Sequence, residues 1–169
     1  INIKKKHLPS LLKIAVLQPI AYFICETFGI QMTTASESGS IIACIPIASL
    51  VASILFLQKK PTRFQTSGIC LTVVGVIVCV TAKGFESSFS GIGYIMLCMA
   101  VLSYSLYCVS AEKADKTTSI EKTYVMIACG ACFFATMAIA RSIAAGTVVD
   151  LFMLPFQNTV FLFSILYLG

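Results

Sequence analysis

A chain of 169 residues with 58% hydrophobic and only 11% charged residues, at a mean hydropathy of +0.94, cannot clothe a soluble globule in polar surface. Soluble domains carry about 25% charged residues. The composition therefore excludes a water-soluble fold and predicts an integral membrane protein, and it makes the net charge of +5 a matter of membrane topology. No nucleic-acid partner is expected.

A helix that crosses the bilayer needs about 20 largely apolar residues. Complete runs of that kind occupy 11–32, 36–57, 64–82, 91–111 and 122–143, and a sixth begins at 156 and continues to 169. The runs are continuous and lack period-two alternation, so they predict helices rather than strands. The fold class expected is an all-α, polytopic membrane protein. The connections are short, so neighbouring helices should run antiparallel. The chain starts at Ile1, shows no signal peptide and stops at Gly169 inside an apolar run, which reads as a fragment of a longer protein.

The first run carries Gln18, Tyr22 and Glu26 at i, i+4 and i+8, which places them on one face of a continuous helix. Glu26 lies roughly 7–8 Å from the middle of the run at 1.5 Å per residue. An ionisable group at that depth is costly and marks a functional site by default. These residues are candidates for a substrate path, with Glu26 binding a cation or taking up a proton. Two bland readings stand beside this: a Glu paired with a polar residue on another helix, or one reaching water at the outer interface. Pro19 in the same run reads as a tolerated kink more readily than as a hinge.

The second run opens with Thr34-x-x-Glu37, a capping box that accounts for Glu37. Thr62-x-x-Gln65 and Thr118-x-x-Glu121 repeat the pattern before the third and fifth runs. Pro46 falls in the middle of the second run, where it removes a hydrogen bond to the preceding turn. It is the hinge candidate, although proline is also tolerated as a kink in membrane helices. The third run has a stripe of small residues at Gly68, Thr72, Gly75, Cys79 and Ala82, expected to be a packing face. Gly39, Ala43, Ser49, Ala52 and Ser53 make the second run its natural partner, unless further parts of the protein cover the stripe.

In the fourth run Ser103, Tyr104 and Tyr107 supply hydroxyl groups. Tyr107 reads as an interface residue beside Glu112, and Tyr104 as a further substrate-path candidate. Arg141 can snorkel to the headgroups. The eight cysteines all lie in apolar runs with no disulfide or zinc spacing, and Cys129-Gly-Ala-Cys132 reads as small apolar filler. The single histidine is His7. No cluster suggests a metal, no cofactor is expected, and no nucleophile–base pair or other catalytic residue stands out.

Charge sets the orientation. Lys4, Lys5, Lys6, Lys13, Lys59, Lys60, Arg63, Lys113, Lys116 and Lys122 fall on one side and only Lys83 and Arg141 on the other, ten of the 12 basic residues against two. The positive-inside rule makes the loops at 1–10, 58–63 and 112–122 cytoplasmic and those at 33–35, 83–90 and 144–157 external.

The residues Gly29-Ile30, Thr33-Thr34-Ala35-Ser36, Ile45-Pro46, Lys60-Pro61 and Gly68…Gly75-Val76, followed by Gly91-x-Gly93-Tyr94, Leu102-Ser103-Tyr104-Ser105-Leu106-Tyr107, Glu112-Lys113 and Ile165-Leu166-Tyr167-Leu168-Gly169, come in an order and spacing that resembles the EamA-like branch of the drug/metabolite transporter superfamily. The resemblance implies ten helices in two inverted repeats of five. Residues 1–82 would be the C-terminal part of the first repeat and 91–169 the N-terminal part of the second. It implies a multi-pass secondary transporter of the plasma membrane that moves small metabolites or drug-like solutes by alternating access, with proton or ion coupling and homodimerisation left open. A non-transporting membrane subunit and a membrane-embedded enzyme are the alternatives. One departure stands out: Lys59 occupies a position before the basic-Pro pair where the family usually has Glu. Cysteines placed at 59–63 should react with an impermeant thiol reagent only from inside the cell, and those at 84–88 only from outside; the opposite pattern refutes the orientation.

Overall fold

The computed structural model describes residues 8–83, 90–114, 117–146 and Phe163. Every regular element among them is helical: α1 (Leu8–Ala15), a π-type turn (Val16–Ala21), α2 (Tyr22–Gln31), α3 (Ala35–Ile42), α4 (Ile45–Leu57), α5 (Arg63–Lys83), α6 (Gly91–Lys113) and α7 (Ser119–Ala145). Four stretches are long and apolar enough to cross a membrane: Pro9–Gln31, Ala35–Leu57, Gly91–Lys113 and Ser119–Ala145. Helix α5 has 21 residues, about 31 Å at 1.5 Å per residue. Apart from Phe163, the expected sixth run lies outside the described residues, as do most of the loops at 1–10, 83–90 and 144–157.

The capping residues set the helix starts. The Thr34 N–H donates to Glu37 Oε2 at 2.8 Å and the Glu37 N–H to Thr34 Oγ1 at 3.3 Å. The Thr62–Gln65 pair makes the same two bonds at 3.0 and 3.3 Å, and the Thr118 N–H donates to Glu121 at 3.0 Å. Each start lies within three residues of the edge of the predicted run. Helix α4 ends at Gln58, whose φ of 52° and ψ of 28° form a left-handed C-cap.

The two prolines behave differently from expectation. Pro19 is more than a tolerated kink. Gln18 before it is extended (φ −145°, ψ 124°), and the first run divides there into α1 and α2. Proline lacks an N–H, and its ring disfavours a helical residue before it. The second run divides at Ala43–Cys44, both of which keep right-handed helical angles. Pro46 then sits in the first turn of α4, where a missing N–H costs least.

Helix α6 is the centre of the first of two compact units, Ile1–Gly130 and Ala131–Gly169, whose boundary falls within α7. It packs against α2 and α4, and also against α1 and α3. Leu11, Ile14 and Leu97 are the largest fully buried side chains among the described residues, while Leu55, Phe64 and Leu71 remain well exposed, as suits residues facing lipid. Close approach of α2 and α6 rests on two glycines. A Cβ on Gly29 would come within 2.6 Å of the Leu97 side chain, and one on Gly93 within 2.7 Å of Thr33 Cγ2 and 2.9 Å of Met32 Cβ. The small stripe on α5 makes no such approach. Helix α5 does touch α3, but a Cβ on Gly68 or Gly75 would meet no described atom within 4 Å. Packing in the second unit includes Phe133 edge-on to Phe134 at 5.4 Å.

Gly93→Ala should cost about 1–3 kcal/mol by overpacking, read as a lower thermal midpoint in detergent, whereas Gly75→Ala should leave the midpoint unchanged or raise it.

Candidate functional site

The sequence candidates gather where the first run breaks. With Gln18 extended, the Leu17 carbonyl leaves the regular ladder. It accepts from the Tyr22 N–H and, at 2.8 Å, from the Ser103 hydroxyl of α6. Ser103 is buried. An unpaired backbone carbonyl in lipid costs several kcal/mol, and the Tyr22 N–H and the Ser103 hydroxyl together satisfy this one. Pro19 packs against α7 at Gly130, where a Cβ would stand 2.5 Å from Pro19 Cγ.

Around the break stand the polar side chains. The buried Tyr22 donates its hydroxyl to Glu26 Oε1 at 2.8 Å. Its ring meets that of Tyr104 edge-on at 5.5 Å, and Tyr104 meets Tyr107 at 5.6 Å. Gln18 Oε1 is buried with no hydrogen-bond partner among the described residues. Gln18 therefore belongs to the break, and the expected continuous stripe of Gln18, Tyr22 and Glu26 shrinks to Tyr22 and Glu26 on α2. The described partner of Glu26, Tyr22, sits on its own helix. Tyr107 joins this aromatic row.

Glu37 does more than cap α3. Tyr94 of α6 donates its hydroxyl to Glu37 Oε1 at 2.6 Å, which ties the start of α3 to the start of α6. At the other end of α6, Glu112 forms an ion pair with Lys59, and Lys113 Nζ lies 5.9 Å from the Phe56 ring centroid. The residue that departs from the family pattern is thus an ion-pair partner. These contacts join residues 57 and 53 positions apart, a separation at which no sequence periodicity shows a pairing.

Between α4, α5 and α6 lies a cavity of about 640 Å³. Lys59 and Glu112 line its end near the 58–63 loop, and Ser49, Ser53, Thr72 and Cys108 line its walls, with Pro46 farthest along α4. Pro46 is about 17 Å along the helix from Leu57, so the cavity reaches the middle of the second run. Tyr104 stands one turn deeper on α6 than Cys108, on the same face. Among the described residues no group of three or more His, Cys, Asp or Glu side chains could hold a metal ion.

Lipid-length helices, interrupted at prolines around buried polar groups, define a polytopic all-α membrane protein. Residues 1–81 match the EamA-like transporter family. Over 171 residues it is 33% identical to the protein named "Uncharacterized transporter YcxC" of Bacillus subtilis (strain 168), a match that covers 100% of this chain and 54% of that protein. Over 107 residues it is 29% identical to "Protein PagO" of Salmonella typhimurium, covering 59% of this chain and 34% of that protein. The chain thus spans about half the length of the first relative and a third of the second. No solved structure matches it.

Ser103→Ala removes the bond to Leu17. It should destabilise the protein by about 0.5–1.5 kcal/mol, measured as a fall in thermal midpoint, and should speed amide hydrogen exchange at 17–22 more than in the middle of α6.

Proposed function

We propose that this chain forms part of a secondary transporter that carries a small metabolite or drug-like solute across the plasma membrane by alternating access. The observation that carries the reading is the cavity of about 640 Å³ that runs from the basic 58–63 loop to the helix break beside Pro46. Drug-sized ligands occupy clefts of about 300–1,000 Å³. Substrate sites in transporters lie near the bilayer midplane at discontinuous helices. This chain has two such interruptions, at Gln18–Pro19 and at Ala43–Cys44. The family domain over residues 1–81 and the transporter relative support the same class, and the proposed activity is transport without chemical conversion of the solute.

On this reading the ten-to-two division of basic residues puts the 58–63 loop in the cytoplasm, and the cavity opens to that side. Residues 1–82 and 91–169 supply parts of two inverted repeats. The solute passes from the cavity to Tyr104, Tyr22, Gln18 and Glu26, and the turn before Pro46 bends as the repeats rock. Glu26, held by Tyr22 and with no described cationic side chain bonded to it, couples transport to a proton or another cation.

Uptake by the full-length protein in proteoliposomes, followed across pH, tests the role of Glu26. The Glu26→Gln protein should transport about tenfold or more slowly and without the pH dependence of the parent. Equal rates and equal pH profiles would remove Glu26 from the mechanism.

A further inference from the structure

We infer that Lys59 and Glu112 form a charge gate over the cavity between α4, α5 and α6. Lys59 follows the left-handed cap at Gln58, where the chain leaves α4, and Glu112 occupies the last turn of α6. Their ion pair spans the same end of the cavity that both residues line. The pair joins the C-terminal ends of α4 and α6 at the mouth of the cavity. The lysine of the next position, Lys113, adds a second, weaker link to Phe56.

The strength of the pair suits a gate. The two side chains are 59% and 39% exposed, so water reaches both. Exposed pairs contribute about 0.2–1 kcal/mol. A contact of that size biases an equilibrium between closed and open ends without locking it. A buried pair would be costly to desolvate and to break. The opposite end of α6 is built differently. There Gly93 lies against Met32 and Thr33 with no room for a Cβ, and the Tyr94 hydroxyl bonds Glu37. One end of α6 is therefore closed by packing with no room for a Cβ, and the other carries an exposed charge pair and the Lys113–Phe56 contact beside the cavity. Loss of the pair frees the cavity mouth first, and Cys108, which lines the cavity, reports it.

The inference rests on reading the cavity as the solute path, but its test needs no solute. In full-length protein with every cysteine but Cys108 replaced, the rate of modification by N-ethylmaleimide is measured in detergent. Lys59→Gln and Glu112→Gln should each raise the rate about threefold, the scale set by an exposed ion pair. Lys59→Arg, which keeps the charge, should retain the parent rate, and the double exchange of Lys59→Glu with Glu112→Lys should restore it. Parent-like rates in both Gln proteins overturn the gate. So does a double exchange that stays as fast as the Gln proteins while keeping the parent thermal midpoint. If the double exchange does not fold, the contrast between Lys59→Arg and Lys59→Gln decides. Glu26→Gln transport tests the solute path separately, so failure of one leaves the other standing.

Discussion

The described helices depend on how closely α6 can lie against α2. Lipid tails are as apolar as the side chains, so burying Leu and Ile gives no solvent-driven reason for helices to associate. Van der Waals contact and interhelical hydrogen bonds must do it. At Gly29 and Gly93 the two backbones approach where no Cβ fits. That approach sets Leu97 into α2 and brings Tyr94 within reach of Glu37. It also places Ser103 at the Leu17 carbonyl, two turns beyond Leu97 on the same helix. A wider spacing would cost contact energy and leave the break at Gln18 without its donor.

The prolines acquire meaning from this spacing. In water a carbonyl freed by a proline finds solvent; in a bilayer it must find protein. At the break before Pro19 the Leu17 carbonyl is shared by the Tyr22 N–H and the Ser103 hydroxyl, so an extended residue can persist within a membrane-spanning run. At Pro46 no comparable repair is needed, because the chain starts a new helix and its first turn has no use for the missing N–H. The two positions thus play different parts: one carries buried polar side chains, and the other ends a cavity. An interruption that is cheap to form is also cheap to bend, which fits a turn that changes during a transport cycle.

Glu26 and Glu37 show how similar residues diverge. Both are acids within apolar surroundings. Glu37 satisfies backbone donors at the start of α3 and takes a hydroxyl from α6, so its roles are structural at a helix end. Glu26 has a tyrosine one turn before it and an aromatic row beyond. The charge pair at Lys59 and Glu112 belongs to neither pattern. It lies where water reaches, over open space, and so can be broken at small cost.

The sequence by itself determined the class of the protein and, to within three residues, the outer edges of its described helical runs, but not the breaks that divide the first two. Lipid length, hydropathy and local capping pairs are short-range properties: Thr34–Glu37 and Thr62–Gln65 meet because three residues span one turn. Tyr22–Glu26 was legible for the same reason, being one turn apart on one helix. What only the tertiary structure decided was every relation across helices. The stripe on α5 reads as a packing face, but among the described residues Gly29 and Gly93 carry the close approach, because a small residue matters only where another backbone arrives. Gln18 left its predicted face because Pro19 breaks the period on which that face was drawn. Tyr94 with Glu37, Ser103 with Leu17 and Lys59 with Glu112 join positions more than fifty residues apart. Helical periodicity fixes which residues share a face, but the partner of that face is chosen by the packing of whole helices.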